Sequence, residues 1–257
     1  MQNFKLPDLK SVRTTINCIF ELLFQVRYSF TKTEEEEQIL SLQNQLMVLL
    51  TGLTENKEQV VHDFFENLNE KKEILLKDAR FILESDPAAK ELIEVIVIYP
   101  GFYAIFCFRI ANLLAHLSVP LLPRMITEYA HRITGIDIHP LATIGSPFSI
   151  DHGTGIVIGE TAHIGNCVKI YQGVTLGALS VEKNKASKKR HPTIEDNVIL
   201  YAGCTILGGE TVVGRNSIIG GNVWLTESIL PYSVVYHKSE IIVRNQRDYQ
   251  DPDNFII

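Results

Sequence analysis

Aliphatic residues recur every six positions through the C-terminal half of the chain, separated mostly by polar or small residues. A period of six matches neither the 3.6 residues of a helix turn nor the two-residue alternation of a strand. It is typical of a parallel β-helix, in which each hexapeptide forms one side of a triangular coil and about eighteen residues complete the coil. The recurring positions, with small slips in phase, are Ile138, Ile144, Ile150, Ile156, Ile158, Ile164, Ile170, Leu176, Ile194, Leu200, Ile206, Leu207, Val213, Ile219 and Leu225.

We expect these aliphatic side chains to point inward and to stack on their counterparts in the next coil, about 4.8 Å away. Residues 177–193 interrupt the hexads, are polar and basic, and are predicted to form a loop that protrudes from one corner. The alternative of a sandwich of short strands does not account for a phase that persists over so many repeats. Small residues predicted to share the narrow interior are Ala142, Thr154, Ala162 and Cys204.

The first 135 residues carry a different pattern, with apolar residues at helical spacing. Thr33 and Glu36 are spaced as a capping box at the start of one helix. Asp86 followed by Pro87 predicts an N-cap, with proline at the first position of a helix that runs to residue 98. The predicted fold is therefore α+β, with an all-helical N-terminal domain over 1–135, a parallel β-helix over 136–238 and a tail over 239–257.

Composition limits the class of protein. The chain has 257 residues, of which 46% are hydrophobic and 21% charged, as in globular proteins. A net charge of −6 gives no electrostatic reason to expect nucleic acid. The four cysteines are Cys18, Cys107, Cys167 and Cys204. Their scattered positions predict neither a disulfide framework nor a zinc site.

We also expect no membrane span and no secretion. The apolar stretch over residues 92–122 contains Glu94, Arg109 and His116 and is interrupted by Pro100, which indicates buried helices. The first residues lack the compact apolar core and small-residue cleavage site of a secretory leader. These features predict a cytoplasmic protein.

Polar patches that could carry chemistry interrupt the hexads at three places. Asp151 and His152 come directly after an inward position, and Arg190 and His191 lie at the base of the predicted loop. Asp137 lies fifteen residues before His152, close to one coil length. A carboxylate one coil away could orient the imidazole and stabilise its charged form, as general-base chemistry requires.

Each of these residue types also has an interpretation without chemistry. A histidine that points outward at a coil corner is usually solvated, which is what we expect for His139, His163 and His237. Asp86 could serve only as a helix cap, and the loop lysines could form only a solvated surface. Cys204 is expected to pack in the core. The residues alone leave the substrate open.

Five segments carry a more specific signal: S-D-P-A-A from residue 85, Y-P-G-F-Y-A from residue 99, I-D-I-H-P from residue 136, D-H-G-T-G-I-V-I-G-E from residue 151 and R-H-P from residue 190. Together they resemble the serine O-acetyltransferases of the hexapeptide-repeat acyltransferase superfamily. The resemblance covers roughly residues 86–234. It implies a left-handed β-helix and transfer of the acetyl group of acetyl-CoA to the hydroxyl of L-serine, which gives O-acetyl-L-serine for cysteine biosynthesis.

The resemblance also implies roles for individual residues. His152 would be the general base, Asp137 would orient it, and His191 would help bind serine and the developing oxyanion. Transfer would be direct, so no nucleophilic cysteine or serine is needed.

Three further residues would bind the amino acid. Arg190 would take the serine carboxylate in a charge-assisted pair. Asp86 and Asp151 would hold the serine ammonium. Small residues would let acetyl-CoA, the co-substrate, approach the backbone, and those implied are Gly177, Ala178, Ala202, Gly203, Gly220 and Gly221. No metal is expected.

The implied partners follow from the same resemblance. The family assembles as a homotrimer or a dimer of trimers, with sites between subunits. L-Cysteine is expected as a feedback inhibitor, because it presents the same ammonium and carboxylate as serine. The C-terminal Ile257 is expected to bind the active site of cysteine synthase, as the C-termini of many family members do.

Three other functions are compatible with a protein built of hexapeptide coils. A hexapeptide acetyltransferase for a sugar or antibiotic hydroxyl would share His152 but has no need of Asp86 and Arg190. A hexapeptide-coil carbonic anhydrase would need three histidines on a metal, for which the candidates are His139, His152, His163 and His191. A purely structural coil protein has no use for outward Asp–His pairs.

Overall fold

The computed structural model describes residues 6–26, 29–179 and 188–238. The predicted tail, with Ile257, and residues 180–187 of the predicted loop lie outside these residues. Within the described residues, helices precede strands along the chain: the last helix ends at Thr134 and the first strand begins at Asp137. The predicted α+β order of an all-helical part followed by a parallel β-helix is confirmed.

Helices build the N-terminal part. In the first of them, the buried residues Val12, Ile16, Ile19 and Leu23 recur at helical spacing, so one face packs inward. The fifth helix has most of its residues buried, because it is covered by neighbouring helices and by the first coil. The helices are α1 Leu9–Phe24, α2 Lys32–Leu50, α3 Lys57–Ser85, α4 Leu92–Ile98, α5 Pro100–His116 and α6 Leu122–Thr134.

Two predicted helix starts are wrong. The capping box is formed by Thr31 and Glu34, whose carboxylate accepts the Thr31 N–H at 2.8 Å, and not by Thr33 and Glu36. Thr33 lies inside the first turn, because the helix begins one residue before it. Asp86 caps the C-terminus of α3 and starts no helix, since α4 begins only at Leu92.

Short parallel strands form the β-helix, and three sheets make its three sides. Sheet A has the order β1-β4-β7-β10-β13, sheet B the order β11-β8-β5-β2, and sheet C the order β14-β12-β9-β6-β3. The strands are β1 Asp137–Ile138, β2 Thr143–Ile144, β3 Phe148–Ile150, β4 Val157–Ile158, β5 His163–Ile164, β6 Val168–Ile170, β7 Thr175–Gly177, β8 Thr193–Ile194, β9 Ile199–Leu200, β10 Thr205–Leu207, β11 Val212–Val213, β12 Ile218–Ile219, β13 Trp224–Leu225 and β14 Val234–Val235.

The aliphatic residues of the hexads form one inward column on each sheet. Sheet A, for example, stacks Ile158 on Leu176 and Leu176 on Ile206, and all three are buried. Two inward positions were predicted wrongly. Leu207 is only half-buried, because it follows inward Ile206 directly and successive strand residues face opposite ways. Thr154 is exposed, because it lies in a corner turn and not on a side.

The first coil is longer than the second. Ile138 pairs with Ile158, twenty residues later, whereas Ile158 pairs with Leu176, eighteen residues later. The extra length lies in the corner over residues 151–155, where His152, Gly153 and Gly155 have φ values of 55°, 89° and 82°. The two extra residues make this corner bulge outward, and His152 lies in the bulge.

A buried ion pair joins the helices to the first coil. The Arg109 Nε of α5 lies 3.0 Å from an Asp78 carboxylate oxygen of α3, and both side chains are buried. Arg109 also donates to the carbonyls of Ile144 and Gly145 at 2.7 and 2.6 Å, and Asp78 accepts the Phe148 N–H at 2.9 Å. Every charged group here is paired, as burial requires. The helices therefore fix the strand that leads to Asp151.

Among the described residues, no single helix has both the length and the apolar character needed to cross a membrane. Helices α4 and α5 meet that test only when taken together, and they are bent by 73° where they join.

Candidate active site

The bulged corner lies where the chain passes from sheet C to sheet A, an edge we call the C–A edge. Its Asp151 and His152 point outward, and the His152 side chain is 73% exposed. The His152 Nε2 lies 3.7 Å from an Asp151 carboxylate oxygen. An exposed imidazole beside an acid can accept a proton from a ligand that arrives from solvent.

Helix α3 brings a second carboxylate to this corner. Asp86, at the end of α3, lines a small cavity together with Asp151, Tyr99 and Tyr171. The pKa of Asp86 is lowered, chiefly by the Tyr99 hydroxyl, then by the Ala88 N–H, and also by the charge of nearby His152. Three predicted site residues, Asp86, Asp151 and His152, are therefore neighbours although Asp86 lies far from the others in sequence.

The other predicted histidine lies on a different edge, where the chain passes from sheet A to sheet B (the A–B edge). His191 is 8% exposed, and its Nδ1 accepts the Thr161 N–H at 3.1 Å. A backbone N–H can only donate, so Nδ1 carries no proton and the proton of the neutral ring is on Nε2. Burial and the charge of Arg190 lower the pKa of His191 to about 4. His191 is thus a neutral hydrogen-bond donor.

Close packing fixes the His191 ring. It lies against the backbone of Gly159, where a Cβ would collide with ring atoms including Nε2. Thr161 Oγ1 accepts the Arg190 and His191 N–H groups at 2.9 and 3.1 Å. The Arg190 guanidinium forms a short ion pair with Glu160. The orientation of both predicted residues is therefore set by the turn that carries Glu160 and Thr161.

Sequence reasoning missed the role of this turn. Glu160 was part of a recognised segment but received no role, and Thr161 follows it directly. The signal that could have identified them is their place one coil from Arg190 and His191 on the same edge.

Within the described residues, no hydrogen bond or ion pair joins the two groups of site residues. The C–A group is Asp86, Asp151 and His152, and the A–B group is Arg190 and His191. A side of the prism, sheet A, separates the two edges. The candidate site residues of one chain therefore form two separate groups, which we call half-sites.

Asp137 lies on the outer face of sheet A. Its register partner is Val157, twenty residues later, and not His152, which comes five residues earlier in the corner. Its carboxylate accepts from Arg124 Nη1 at 3.0 Å, and Arg124 also pairs with Glu128. The recorded contacts of the described residues do not connect Asp137 with His152, so its orienting role stays a prediction.

The residues implied for acetyl-CoA divide between the same two edges. Gly203 and Gly221 follow strands of sheet C, and they occupy the C–A edge in the coils beyond His152. Gly177 ends a strand of sheet A and opens the A–B edge with Ala178. Gly203 has a φ of 71°, and a Cβ on Gly221 would lie 3.2 Å from the Ala202 carbonyl. Ala202 and Gly220 lie in the same two corners, so the four residues implied at this edge are all small.

Two groups of side chains among the described residues have the spacing of metal ligands. One is His62, Asp63 and Glu66, and the other is Glu128, His131 and Asp137. Neither includes a candidate catalytic histidine.

No family model matches the chain. It is 48% identical over 182 residues to the plasmid serine acetyltransferase of Synechococcus elongatus, an alignment that covers 69% of this chain and 57% of that relative. It is 44% identical over 173 residues to the serine acetyltransferase of Bacillus licheniformis, with 67% of this chain and 78% of the relative covered. The chain thus spans little more than half of the first relative and over two thirds of the second.

Solved structures give the same family. The structure of Entamoeba histolytica serine acetyltransferase 1 in complex with L-cysteine matches with a TM-score of 0.81 and 32% identity, covering 91% of this chain and 88% of that one. The Neisseria gonorrhoeae enzyme in complex with serine matches at 0.65 and 25%, covering 91% and 97%. A serine acetyltransferase in complex with CoA matches at 0.61 and 25%, covering 88% and 96%.

Sequence identity over 69% of the chain and fold similarity over 91% of it agree, and they confirm the family that the five sequence segments resemble. This chain belongs to the serine acetyltransferase family, a family of acyltransferases.

Proposed function

We propose that this chain transfers the acetyl group of acetyl-CoA to the hydroxyl of L-serine, giving O-acetyl-L-serine and CoA. The observation that carries the proposal is the corner where Asp86 and Asp151 lie beside the exposed imidazole of His152. Two carboxylates can hold an ammonium group while the imidazole reaches a nearby hydroxyl. The solved relatives that bind serine and CoA support this choice of substrates.

In the proposed reaction, the neutral imidazole of His152 removes the proton from the serine hydroxyl. The oxygen attacks the thioester carbonyl carbon, and the carbonyl electrons move onto its oxygen. When the carbonyl re-forms, the C–S bond breaks and the departing thiolate takes the proton from His152. The ester and free CoA leave, and the imidazole is neutral again. Asp137 or Asp151 would stabilise the charged imidazolium in between.

His191 would stabilise the negative oxygen that forms on the thioester carbon. Its neutral state and fixed Nε2–H suit a hydrogen-bond donor, because such a group gains strength when charge develops on its acceptor. Arg190 would supply positive charge for the serine carboxylate, shared with Glu160, which it contacts in the free chain.

The two half-sites support an assembly in which neighbouring chains complete each other's sites. The C–A edge of one chain would face the A–B edge of the next, which brings His152 near the neighbour's His191. The same arrangement would place the CoA-binding glycines of both edges along one groove. A homotrimer closes such head-to-tail contacts in a ring. Pairing of two trimers through the helices is the larger form that we propose.

Feedback inhibition by L-cysteine belongs to the same proposal. Cysteine carries the ammonium and carboxylate of serine, and a solved relative contains it. We also propose a cytoplasmic location and a complex with cysteine synthase through Ile257, which lies outside the described residues.

A thiol-release assay with acetyl-CoA tests the substrate. The expected result is release of CoA with L-serine and little with homoserine, sugars or chloramphenicol. Release with a sugar or chloramphenicol and none with serine would instead support the alternative, an acetyltransferase for another hydroxyl.

A further inference from the structure

A tyrosine hydroxyl contacts the carboxylate proposed to bind the ammonium, and the mechanism above gives it no role. Tyr99 donates its hydroxyl proton to Asp86 Oδ2 at 2.6 Å. The Ala88 N–H donates to the other oxygen, Oδ1, at 2.8 Å. With one donor on each oxygen, the carboxylate plane cannot rotate freely. A carboxylate has about four acceptor positions, so places remain for a ligand.

Tyr99 is held in place by a close approach of the two parts of the fold. It immediately precedes α5, whose first turn contains Pro100 and Gly101. A Cβ on Gly101 would lie only 2.5 Å from the Ile150 carbonyl oxygen, so the approach of α5 to strand β3 requires glycine. Ile150 is followed directly by Asp151. The contact that places Tyr99 therefore also sets its position relative to the second carboxylate.

The charges at this corner keep Tyr99 a donor. Its hydrogen bond to Asp86, followed by burial and the charges of Asp86, Glu94 and Asp151, raises the pKa of Tyr99 to about 12. The phenol thus keeps its proton at every physiological pH. In return, the Tyr99 hydroxyl is the largest cause of the lowered pKa of Asp86. Asp86 stays ionised, which is the state that attracts an ammonium group.

We propose that Tyr99 is a positioning residue that orients the Asp86 carboxylate toward the cavity it shares with Asp151, and so makes the corner selective for the ammonium of an amino acid. This inference rests on the proposed function, because it assigns a determinant of affinity for serine. Tyr99 acts through Asp86, whose carboxylate it contacts. Selectivity would then depend on the Y-P-G turn of the helical part as well as on the β-helix.

The test is Tyr99→Phe, which removes the hydroxyl and keeps the ring. The expected result is an increase of about tenfold in KM for serine, the usual effect of losing a hydrogen bond to a charged group. The kcat and the KM for acetyl-CoA should change by less than about twofold, since only ground-state binding of serine is affected. Without the donor the pKa of Asp86 rises, so the acidic limb of kcat/KM for serine should move to higher pH. A residue with only a structural role would not shift that limb.

Two further variants sharpen the test. Tyr103→Phe removes the next tyrosine hydroxyl along α5, which donates to Asn17 at 3.1 Å, and it should leave the KM for serine unchanged. In an Asp86→Asn background, Tyr99→Phe should have no further effect on KM, because Tyr99 acts only through Asp86.

The outcomes separate the two proposals. A wild-type enzyme that acetylates serine, together with an unchanged KM and pH profile in Tyr99→Phe, overturns the role of Tyr99 alone. A fall in kcat, with equal losses for serine and acetyl-CoA, also overturns it in favour of a structural role. A wild-type enzyme that does not acetylate serine overturns the proposed function and this inference together.

Discussion

The two candidate catalytic histidines lie in opposite surroundings. His152 is exposed in a bulged corner beside two carboxylates, whereas His191 is buried, bonded through Nδ1 to Thr161 and kept neutral. A general base needs a nitrogen that a ligand can reach and a charged state that its neighbours tolerate. A donor to an oxyanion needs one fixed tautomer. Because both side chains are imidazoles, the difference lies in their surroundings, which suit His152 to the role of a base and His191 to that of a hydrogen-bond donor.

The difference originates in how each corner is built. The corner that carries His152 has two more residues than the corresponding corner of the next coil, and these push His152 away from the prism. At the A–B edge, the absence of a side chain on Gly159 lets the His191 ring lie flat against the coil. A longer corner thus exposes His152, and the missing Cβ of Gly159 lets His191 be buried, so the two imidazoles differ in their chemistry.

The largest expected effect follows loss of the exposed ring. His152→Ala should lower kcat by about 10²–10⁴, the usual contribution of a general base, while CoA still binds. His163→Ala is a matched control, since His163 is an exposed histidine on the outer face of sheet B. A folded His152→Ala protein with near-normal turnover would exclude His152 as the base.

The second prediction tests the packing of His191 against Gly159. Gly159→Ala should displace the His191 ring and lower kcat by about 10²-fold, as does loss of an oxyanion donor. His191→Asn should cause a similar loss, and the double variant should be no worse than either single one. If the loss of kcat in the double variant equalled the product of the two single losses, Gly159 would act on a group other than His191. Steady-state kinetics with both substrates measure this.

The third prediction concerns the dependence of stability on pH. The pKa of His191 is about 4 in the folded chain, below the 6.5 of an ordinary histidine, so the unfolded chain binds more protons between these values. The free energy of unfolding should therefore be highest above pH 6.5 and should fall as pH drops toward 4, by at most about 3 kcal/mol. Urea unfolding at pH 7 and pH 4.5 measures the change. His191→Gln should lose less unfolding free energy than the wild type between pH 7 and pH 4.5. An equal loss in the variant would show that protonation of His191 is not its cause.

Much of the fold could be predicted because the hexads report directly on inward positions. Each stacked pair needs an aliphatic residue, so the period survives in the sequence. The wrong positions, Leu207 and Thr154, lie where the phase slips, and a slip does not say which residue turns outward. The capping box was misplaced because Thr31 and Thr33 offer equivalent spacing to a glutamate three residues later.

The candidate site was predictable only in part. Asp151 and His152 are adjacent in sequence, so their proximity was never in doubt. The separation of His152 from His191 depends on which edge of the prism each residue occupies. The edge follows from the number of residues in each coil, which the inserted loop and two slips in the six-residue phase obscure in the sequence. The contact of Tyr99 with Asp86 brings the start of α5 to the end of α3. The segment directly after Asp86 was predicted to begin a helix but forms none before Leu92, and no local sequence pattern indicates the contact.

The buried pair of Arg109 and Asp78 has a consequence for how the molecule grows. A stack of coils is a one-dimensional array in which each repeat is stabilised by its neighbours, and an array needs a terminator at each end. Through this pair the helices terminate the array at its first coil, where His152 also lies. Coils could thus be added at the far end, beyond the glycines implied for acetyl-CoA, with little effect on the His152 corner, whereas any change at the near end alters terminator and corner together.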